Sequence, residues 1–215
     1  MFTGIIENIG EVIELRQTEG GLSLAVDVSR LGGTLAVGAS LAVNGVCLSA
    51  VRPTNRMCSF DVIAETVRRT NFADLQAGQV VNLERSMLPD SRFDGHFVQG
   101  HIDAVATVDR VLATPHEHVL WFSHDADLAP LVVPKGSIAV NGVSMTIAEA
   151  RGGSFSLAVI PTTLERTNLG RLQAGDRVNV ETDILARTIL HQMRTFLPAR
   201  DAGNLLSTMQ RQGFA

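Results

Sequence analysis

The sequence predicts an all-β chain that carries one small barrel or sandwich twice and ends in a helix. Three observations predict it. The stretch Ala42-Val43-Asn44-Gly45-Val46-Cys47-Leu48-Ser49 returns 97 residues later as Ala139-Val140-Asn141-Gly142-Val143-Ser144-Met145-Thr146. Residues 66–84 and 163–181 match at 11 of 19 positions without a gap, sharing Arg69-Thr70-Asn71 with Arg166-Thr167-Asn168 and Leu75-Gln76-Ala77-Gly78 with Leu172-Gln173-Ala174-Gly175. Around both copies, short apolar runs are broken by turns such as Gly20-Gly21, Gly32-Gly33 and Pro53-Thr54-Asn55, the rhythm of short strands. The period far exceeds the roughly 20 to 50 residues of solenoid repeats, so the duplicated unit is a domain.

In chain order, the first half runs from Phe2 to Glu84 as short strands. The content of its repeated stretch is parity: after the Gly turn an extended chain alternates faces, so Cys47 and Ser49 share one face while Val46 and Leu48 take the other. In the second copy Ser144 and Thr146 lie opposite Val143 and Met145. Each strand can give one face to a core and offer a thiol or hydroxyl pair on the other. A single such strand reads equally well as half-buried with a solvated face; recurrence at a fixed offset is what points to function. Residues 65–70 break the strand rhythm and read as a short helical connector ended by Asn71 and Gly78. Residues 85–94, with Pro89, Asp90 and Ser91, read as an exposed connection.

The second half opens as the first does, Gly100-His101-Ile102-Asp103 answering Gly4-Ile5-Ile6-Glu7. After it, Asp183 is placed to cap a helix whose apolar positions Leu185, Ile189, Met193 and Phe196 recur at helical spacing until Pro198. The expected domains are 1–94 and 95–183, with a helix and tail over 184–215. That helix must cover its apolar stripe against another subunit or against its own barrels.

Composition excludes several classes. With 45% apolar and 19% charged residues and no low-complexity tract, the chain is globular throughout. A net charge of −4, no Tyr and one Trp exclude a nucleic-acid surface. The N-terminus has no basic region followed by an apolar run, and no run of about 18 apolar residues exists; neither a signal peptide nor a membrane span is expected, and the cytoplasm is the expected compartment. Cys47 and Cys58 are expected to be reduced. His96, His101 and Asp103 lie close enough in sequence to suggest metal ligands, but no second cluster completes a site, so no metal is expected.

The residues also carry a resemblance to a known family. Met1-Phe2-Thr3-Gly4-Ile5-Ile6, Gly95-His96-Phe97-Val98-Gln99-Gly100-His101-Ile102-Asp103, Lys135-Gly136-Ser137-Ile138, Leu164-Glu165-Arg166-Thr167-Asn168-Leu169, both Asn-Gly-Val stretches and the C-terminal helix resemble the riboflavin synthases of the alpha-chain type, over essentially the whole chain. The resemblance implies two tandem six-stranded Greek-key barrels and a C-terminal α-helix that assembles a homotrimer. It implies the dismutation of two 6,7-dimethyl-8-ribityllumazine molecules into riboflavin and 5-amino-6-ribitylaminouracil by four-carbon transfer, without a cofactor. Each barrel would bind one lumazine, and the productive site would form where the N-terminal barrel of one subunit faces the C-terminal barrel of its neighbour. Lumazine synthase is a further partner that the resemblance raises.

Carried over residue by residue, the first pocket would draw on Gly4, Ile5, Ile6, Cys47, Leu48, Ser49, Asp61, Val62, Ile63, Ala64, Glu65 and Thr66. The second would use Gly100, His101, Ile102, Lys135, Ser144, Met145, Thr146, Ile160, Pro161, Thr162, Thr163, Leu164 and Glu165. The resemblance makes Cys47, His101, Ser144, Thr146 and Asp183 the catalytic candidates. Each has a plainer reading beside it. A lone strand histidine is usually a surface group, although an unperturbed pKa of about 6.5 suits His101 to proton transfer. A free thiol is usually a small core residue, Lys135 would be a turn cation and Asp183 an N-cap. Asn141 stands where the family more commonly has Asp, which removes a charge beside Ser144.

Two other readings compete. A non-catalytic lumazine or flavin carrier of the same superfamily would keep one working pocket, whereas both polar pairs are present here. A flavin reductase would need an Arg-x-Tyr-Ser motif and a Gly-x-Gly-x-x-Gly run, and this chain has no Tyr and no such run.

Overall fold

In a computed structural model that describes residues 1–196, the duplication is visible strand by strand. The first half contains β1 (Asn8–Thr18), β2 (Gly21–Asp27), β3 (Ser40–Val43), β4 (Val46–Ser49), β5 (Arg52–Pro53), β6 (Met57–Ile63), a short helix α1 (Ala64–Arg69) and β7 (Val80–Arg85). The second contains β8 (Ala104–Ala113), β9 (His118–Ser123), β10 (Ser137–Val140), β11 (Val143–Arg151), β12 (Ser154–Ala158), α2 (Pro161–Arg166) and β13 (Arg177–Thr182). Residues 1–183 form one compact unit, and the segment from Ile184 forms another, containing α3 (Ile184–Phe196). The expected stop at Pro198 and the tail lie outside the described residues.

All strand pairs are antiparallel, and β10-β11-β12-β9-β8-β13 close into a six-stranded barrel. Its β9-to-β10 and β12-to-β13 connections skip neighbours, which is the Greek-key path. The first half repeats this order as β4-β3-β7-β1-β2-β6-β5. Its seven strands, against six expected, have a local cause. The register of β11 shifts between Ile147 and Glu149, and at the equivalent place, Ala50 and Val51, the first half breaks that strand into β4 and β5. Pro53 has no N–H to give a ladder, so β5 stays two residues long.

Alternation supplies each core. Val12, Leu24, Leu41, Phe60 and Leu83 fill the first half, and Val108, Leu120, Ile138, Phe155 and Leu157 the second. Two partly buried residues cross over: Ile102 packs against the first core and Ile6 against the second. They do so because the two arms bridge at Phe2 and Val98, Phe2 N–H to Val98 C=O at 2.8 Å, and then run onto opposite halves.

The halves meet at their two repeated turns. Asn44-Gly45 and Asn141-Gly142 are two-residue hairpin turns with positive φ throughout (45° and 77°, 45° and 79°), the type I′ geometry that Asn-Gly favours. The turns stack back to back, so a Cβ on Gly45 would lie 2.6 Å from Gly142 N and one on Gly142 2.8 Å from Gly45 Cα. Around them six buried asparagines form an amide network. Asn82 N–H donates to Asn44 Oδ1 and Asn179 N–H to Asn141 Oδ1, both at 2.9 Å. Across the halves, Asn82 Nδ2 donates to Asn141 C=O and Asn179 Nδ2 to Asn44 C=O, again at 2.9 Å. The N–H groups of Asn71 and Asn168 reach Asn179 Oδ1 and Asn82 Oδ1 at 2.7 Å. The repeated Arg-Thr-Asn run thus has a structural role: Thr70 and Thr167 cap the turns that deliver Asn71 and Asn168 to this network. The Asn141 amide belongs to it as well.

Gly142→Ala meets both a left-handed φ and a backbone wall, whereas Gly175→Ala meets φ +94° with nothing within 4 Å. Urea denaturation is expected to show a loss of about 3 kcal/mol for the first and about 1 kcal/mol for the second.

Candidate functional site

The parity expected of the repeated strands is observed. Val46 and Leu48 enter the first core, Cys47 is half-buried on the other face and Ser49 is exposed. In β11, Val143 is buried in the second core with Met145 against it, while Ser144 is half-buried and Thr146 exposed.

Each polar pair faces an arm from the opposite half. Cys47 N–H donates to Gly100 C=O at 3.0 Å, and Ser144 N–H to Gly4 C=O at 2.8 Å. Both glycines lie flat on their strand: a Cβ would come within 2.5 Å of Cys47 Cβ at Gly100, and within 2.7 Å of Ser144 Cβ at Gly4. This corrects the expected grouping of pocket residues. Gly100, His101 and Ile102 join Cys47, Glu65 and Thr66 around one cavity of about 160 Å³, completed by Val46, Arg69 and Thr70. Gly4 and Ile6 belong with Ser144 and the second core. The arms cross because Phe2 and Val98 pair antiparallel between the halves, a long-range contact that sequence correspondence cannot show.

The remaining candidates lie at strand ends, on the first turns of the two short helices and in turns. In β6, Val62 is buried while Asp61 and Ile63 face out. Ala64, Glu65 and Thr66 begin α1, and Pro161, Thr162, Thr163, Leu164 and Glu165 occupy the same turn of α2. Ile63 and Ile160, equivalent by the repeat, are each 64% exposed. Glu65 is held in ion pairs with Arg68 and Arg69, whose hydrogen bonds keep its carboxyl below the usual range. Lys135 adopts φ 65° in the turn before β10 and donates its N–H to Ile147 C=O. Asp183 directly follows β13.

Three residues escaped sequence reasoning. His96, considered only as a metal ligand, is buried with Nδ1 2.7 Å from Ser144 Oγ. Burial holds its pKa below the ordinary value, and the Asp183 charge opposes that shift. No spacing rule links positions 48 residues apart. Glu84 and Glu181 are buried carboxylates that accept backbone N–H groups from the arms. Their signal was present, because they end the matched 19-residue segments. Burial pushes Glu84 up, while its bonds from Thr3 and Gly4 pull the other way.

A larger cavity, about 590 Å³, lies instead over the amide network, lined by Asn44, Asn71, Asn141 and Asn168, and none of the expected site residues faces it. Among the described residues no three His, Cys, Asp or Glu side chains converge as a metal site would require, and no helix is long and apolar enough to cross a membrane. The two repeated strands therefore offer a small polar pair each and one imidazole each: His101 lines the cavity beside Cys47, and His96 bonds Ser144.

The family profile described as lumazine binding domain matches this chain twice, over residues 3–86 and 99–183. A riboflavin synthase of Photobacterium phosphoreum is 34% identical over 216 residues, covering 100% of this chain and 99% of that protein. Those of Bacillus subtilis (strain 168) and Mycobacterium tuberculosis (strain ATCC 25618 / H37Rv) are 36% and 40% identical, covering 87% and 91% of this chain and 87% and 99% of their own. Among solved structures, LumP complexed with 6,7-dimethyl-8-(1'-D-ribityl) lumazine superposes with a TM-score of 0.75 at 26% identity, and LumP complexed with riboflavin with 0.75 at 28%. Each covers 85% of this chain and 99% of LumP.

Because His96 binds its proton less readily folded than unfolded, its contribution to stability is present above the unfolded value of 6.5 and is lost as pH falls below it. Denaturation between pH 7.5 and 5.5 is expected to show a steeper loss in the wild type than in His96→Gln, which keeps a hydrogen-bonding partner for Ser144 but does not titrate.

Proposed function

This chain belongs to the lumazine binding domain family, and on that premise we propose that it acts as a riboflavin synthase, converting two 6,7-dimethyl-8-ribityllumazine molecules into riboflavin and 5-amino-6-ribitylaminouracil by four-carbon transfer. The observation that carries the reading is that both halves keep their small polar pair at the same place on the repeated strand, Cys47 and Ser49 in one and Ser144 and Thr146 in the other, and that the histidines beside them differ. A reaction between two copies of one molecule needs two similar seats, and it needs them to treat their occupants differently.

One bound lumazine must lose a proton from its 7-methyl group, and the other must accept a nucleophile. At the first pocket His101, exposed beside Cys47, is the base. At the second, His96 Nδ1 takes the Ser144 hydroxyl proton as Ser144 Oγ adds to the ring. Burial keeps His96 neutral and able to accept that proton, and the Asp183 carboxylate favours the imidazolium once formed. Thr146 and Ser49 supply hydroxyls to the ligand, and strand-end backbone groups read its pyrimidine edge. Holding two rings at reacting distance can contribute about 7–11 kcal/mol in well-oriented systems.

The same reading takes domain limits of 1–94, 95–183 and 184–215, and it makes the protein a cytoplasmic homotrimer that uses no bound cofactor, with lumazine synthase as a candidate partner. The first pocket of one subunit would face the second pocket of its neighbour. Leu185, Ile189, Met193 and Phe196 of α3 are all exposed, which supports a helix that meets another subunit. A carrier resembling LumP is the second reading, favoured by the LumP superpositions. Identities of 34–40% to synthases against 26–28% to LumP weigh for the enzyme.

Incubation with 6,7-dimethyl-8-ribityllumazine alone is expected to yield riboflavin at one molecule per two lumazines consumed, followed by absorbance. Binding without turnover would establish the carrier instead. In the enzyme, His101→Gln is expected to lower kcat by about 10²–10⁴-fold with lumazine still bound at both pockets.

A further inference from the structure

We propose that Glu84 and Glu181 are crossed positioning residues, in which the carboxylate from the last strand of each half fixes the arm that walls the pocket of the other half. This rests on the reading that the two pockets seat the lumazines. Glu84, on β7, is 4% exposed; its Oε1 accepts Thr3 N–H at 2.7 Å and Thr3 Oγ1–H at 2.8 Å, and its Oε2 accepts Gly4 N–H at 3.0 Å. Glu181, on β13, is 1% exposed; its Oε1 accepts Gln99 N–H at 2.7 Å, and its Oε2 accepts Gly100 N–H at 2.9 Å and His101 N–H at 3.2 Å. Neither arm then stays with its clamp. The next contact of Gly4 is with Ser144 in the second half, and that of Gly100 is with Cys47 in the first.

A buried carboxylate is costly, and burial pushes Glu84 above the usual carboxyl range. What it provides is two acceptor oxygens aimed at consecutive N–H groups of a segment with no sheet partner of its own to satisfy them. A glutamine would offer one oxygen and leave a buried donor unpaired. The clamps leave no slack, because Gly4 and Gly100 both hold left-handed φ (78° and 81°) in contact with the strand below. Since the His101 N–H is one of the Glu181 donors, Glu181 sets where that imidazole stands beside Cys47. Neither carboxylate lines the 160 Å³ cavity beside Cys47; Glu84 reaches a separate cavity of about 490 Å³ in company with Thr3 and Ile5 of the arm that it holds.

The crossing makes the test specific. In the full-length protein, amide hydrogen exchange read by NMR is expected to quicken about tenfold at Ser144 N–H in Glu84→Gln and at Cys47 N–H in Glu181→Gln, with the other amide unchanged in each. Iodoacetamide should modify Cys47 faster in Glu181→Gln but not in Glu84→Gln. Cys58, buried with its thiol pushed up to about 11, stays silent unless the fold opens. Glu84→Asp and Glu181→Asp, which keep the charge but draw it back, should give the same crossed pattern and serve if the Gln variants do not fold. Quickening on the variant's own half, equal quickening at both amides, or no change at either overturns the proposal. A wild-type protein that neither binds nor converts lumazine overturns the functional reading instead, and the crossed exchange pattern still decides the clamps.

Discussion

The two stacked Asn-Gly turns and the amide network around them are the constraint on which everything else depends. A type I′ turn demands positive φ at two successive residues, which Asn tolerates and Gly accepts freely. Here the turns serve as the contact surface between the halves, so their glycines are required for close approach as well as for conformation. Every one of the asparagines bonds the other half, and all but Asn71 bond their own half as well. A single buried hydrogen bond contributes only about 1 kcal/mol net, but a buried amide left unpaired costs about 1–3 kcal/mol, so such a network penalises any other docking of the halves. It also breaks their symmetry. Asn168 Oδ1 accepts from Asn82 Nδ2, while its counterpart Asn71 Oδ1 takes no donor among the described residues.

On this nearly two-fold frame the pockets diverge in a few side chains. Cys47 is matched by Ser144, and His101 by Ile5, which is 47% exposed on the other arm. His96 supports Ser144 alone. Two groups whose environments differ can take opposite parts in one proton-transfer reaction, which is what the proposed function asks of the two seats. The fold duplicates the strand and its turn, and a handful of side chains makes the two copies differ.

The charges divide in the same way. Glu7 with Arg85 and Asp74 with Arg177 are partly exposed ion pairs, of the kind that contributes about 0–1 kcal/mol. Glu84 and Glu181 accept backbone N–H groups of the two arms. Their value is directional: they decide where an arm runs.

Read alone, the sequence determined what local periodicity and internal correspondence can carry. The 97-residue offset gave the duplication, alternation put Val46, Leu48 and Val143 inward with Cys47, Ser49, Ser144 and Thr146 on the opposite face, and Glu65 to Thr70 marked the helical connector. The Asn-Gly pairs announced hairpin turns, although not that the turns would meet. The tertiary structure alone decided which arm serves which pocket, placed His96 against Ser144, and turned six asparagines into one network. The reason is physical: periodicity reports how a residue faces its own sheet, whereas these features depend on the rigid-body docking of two sheets. That docking is fixed by side-chain and main-chain bonds between positions about 50 to 135 residues apart, which leave no periodic trace in the chain.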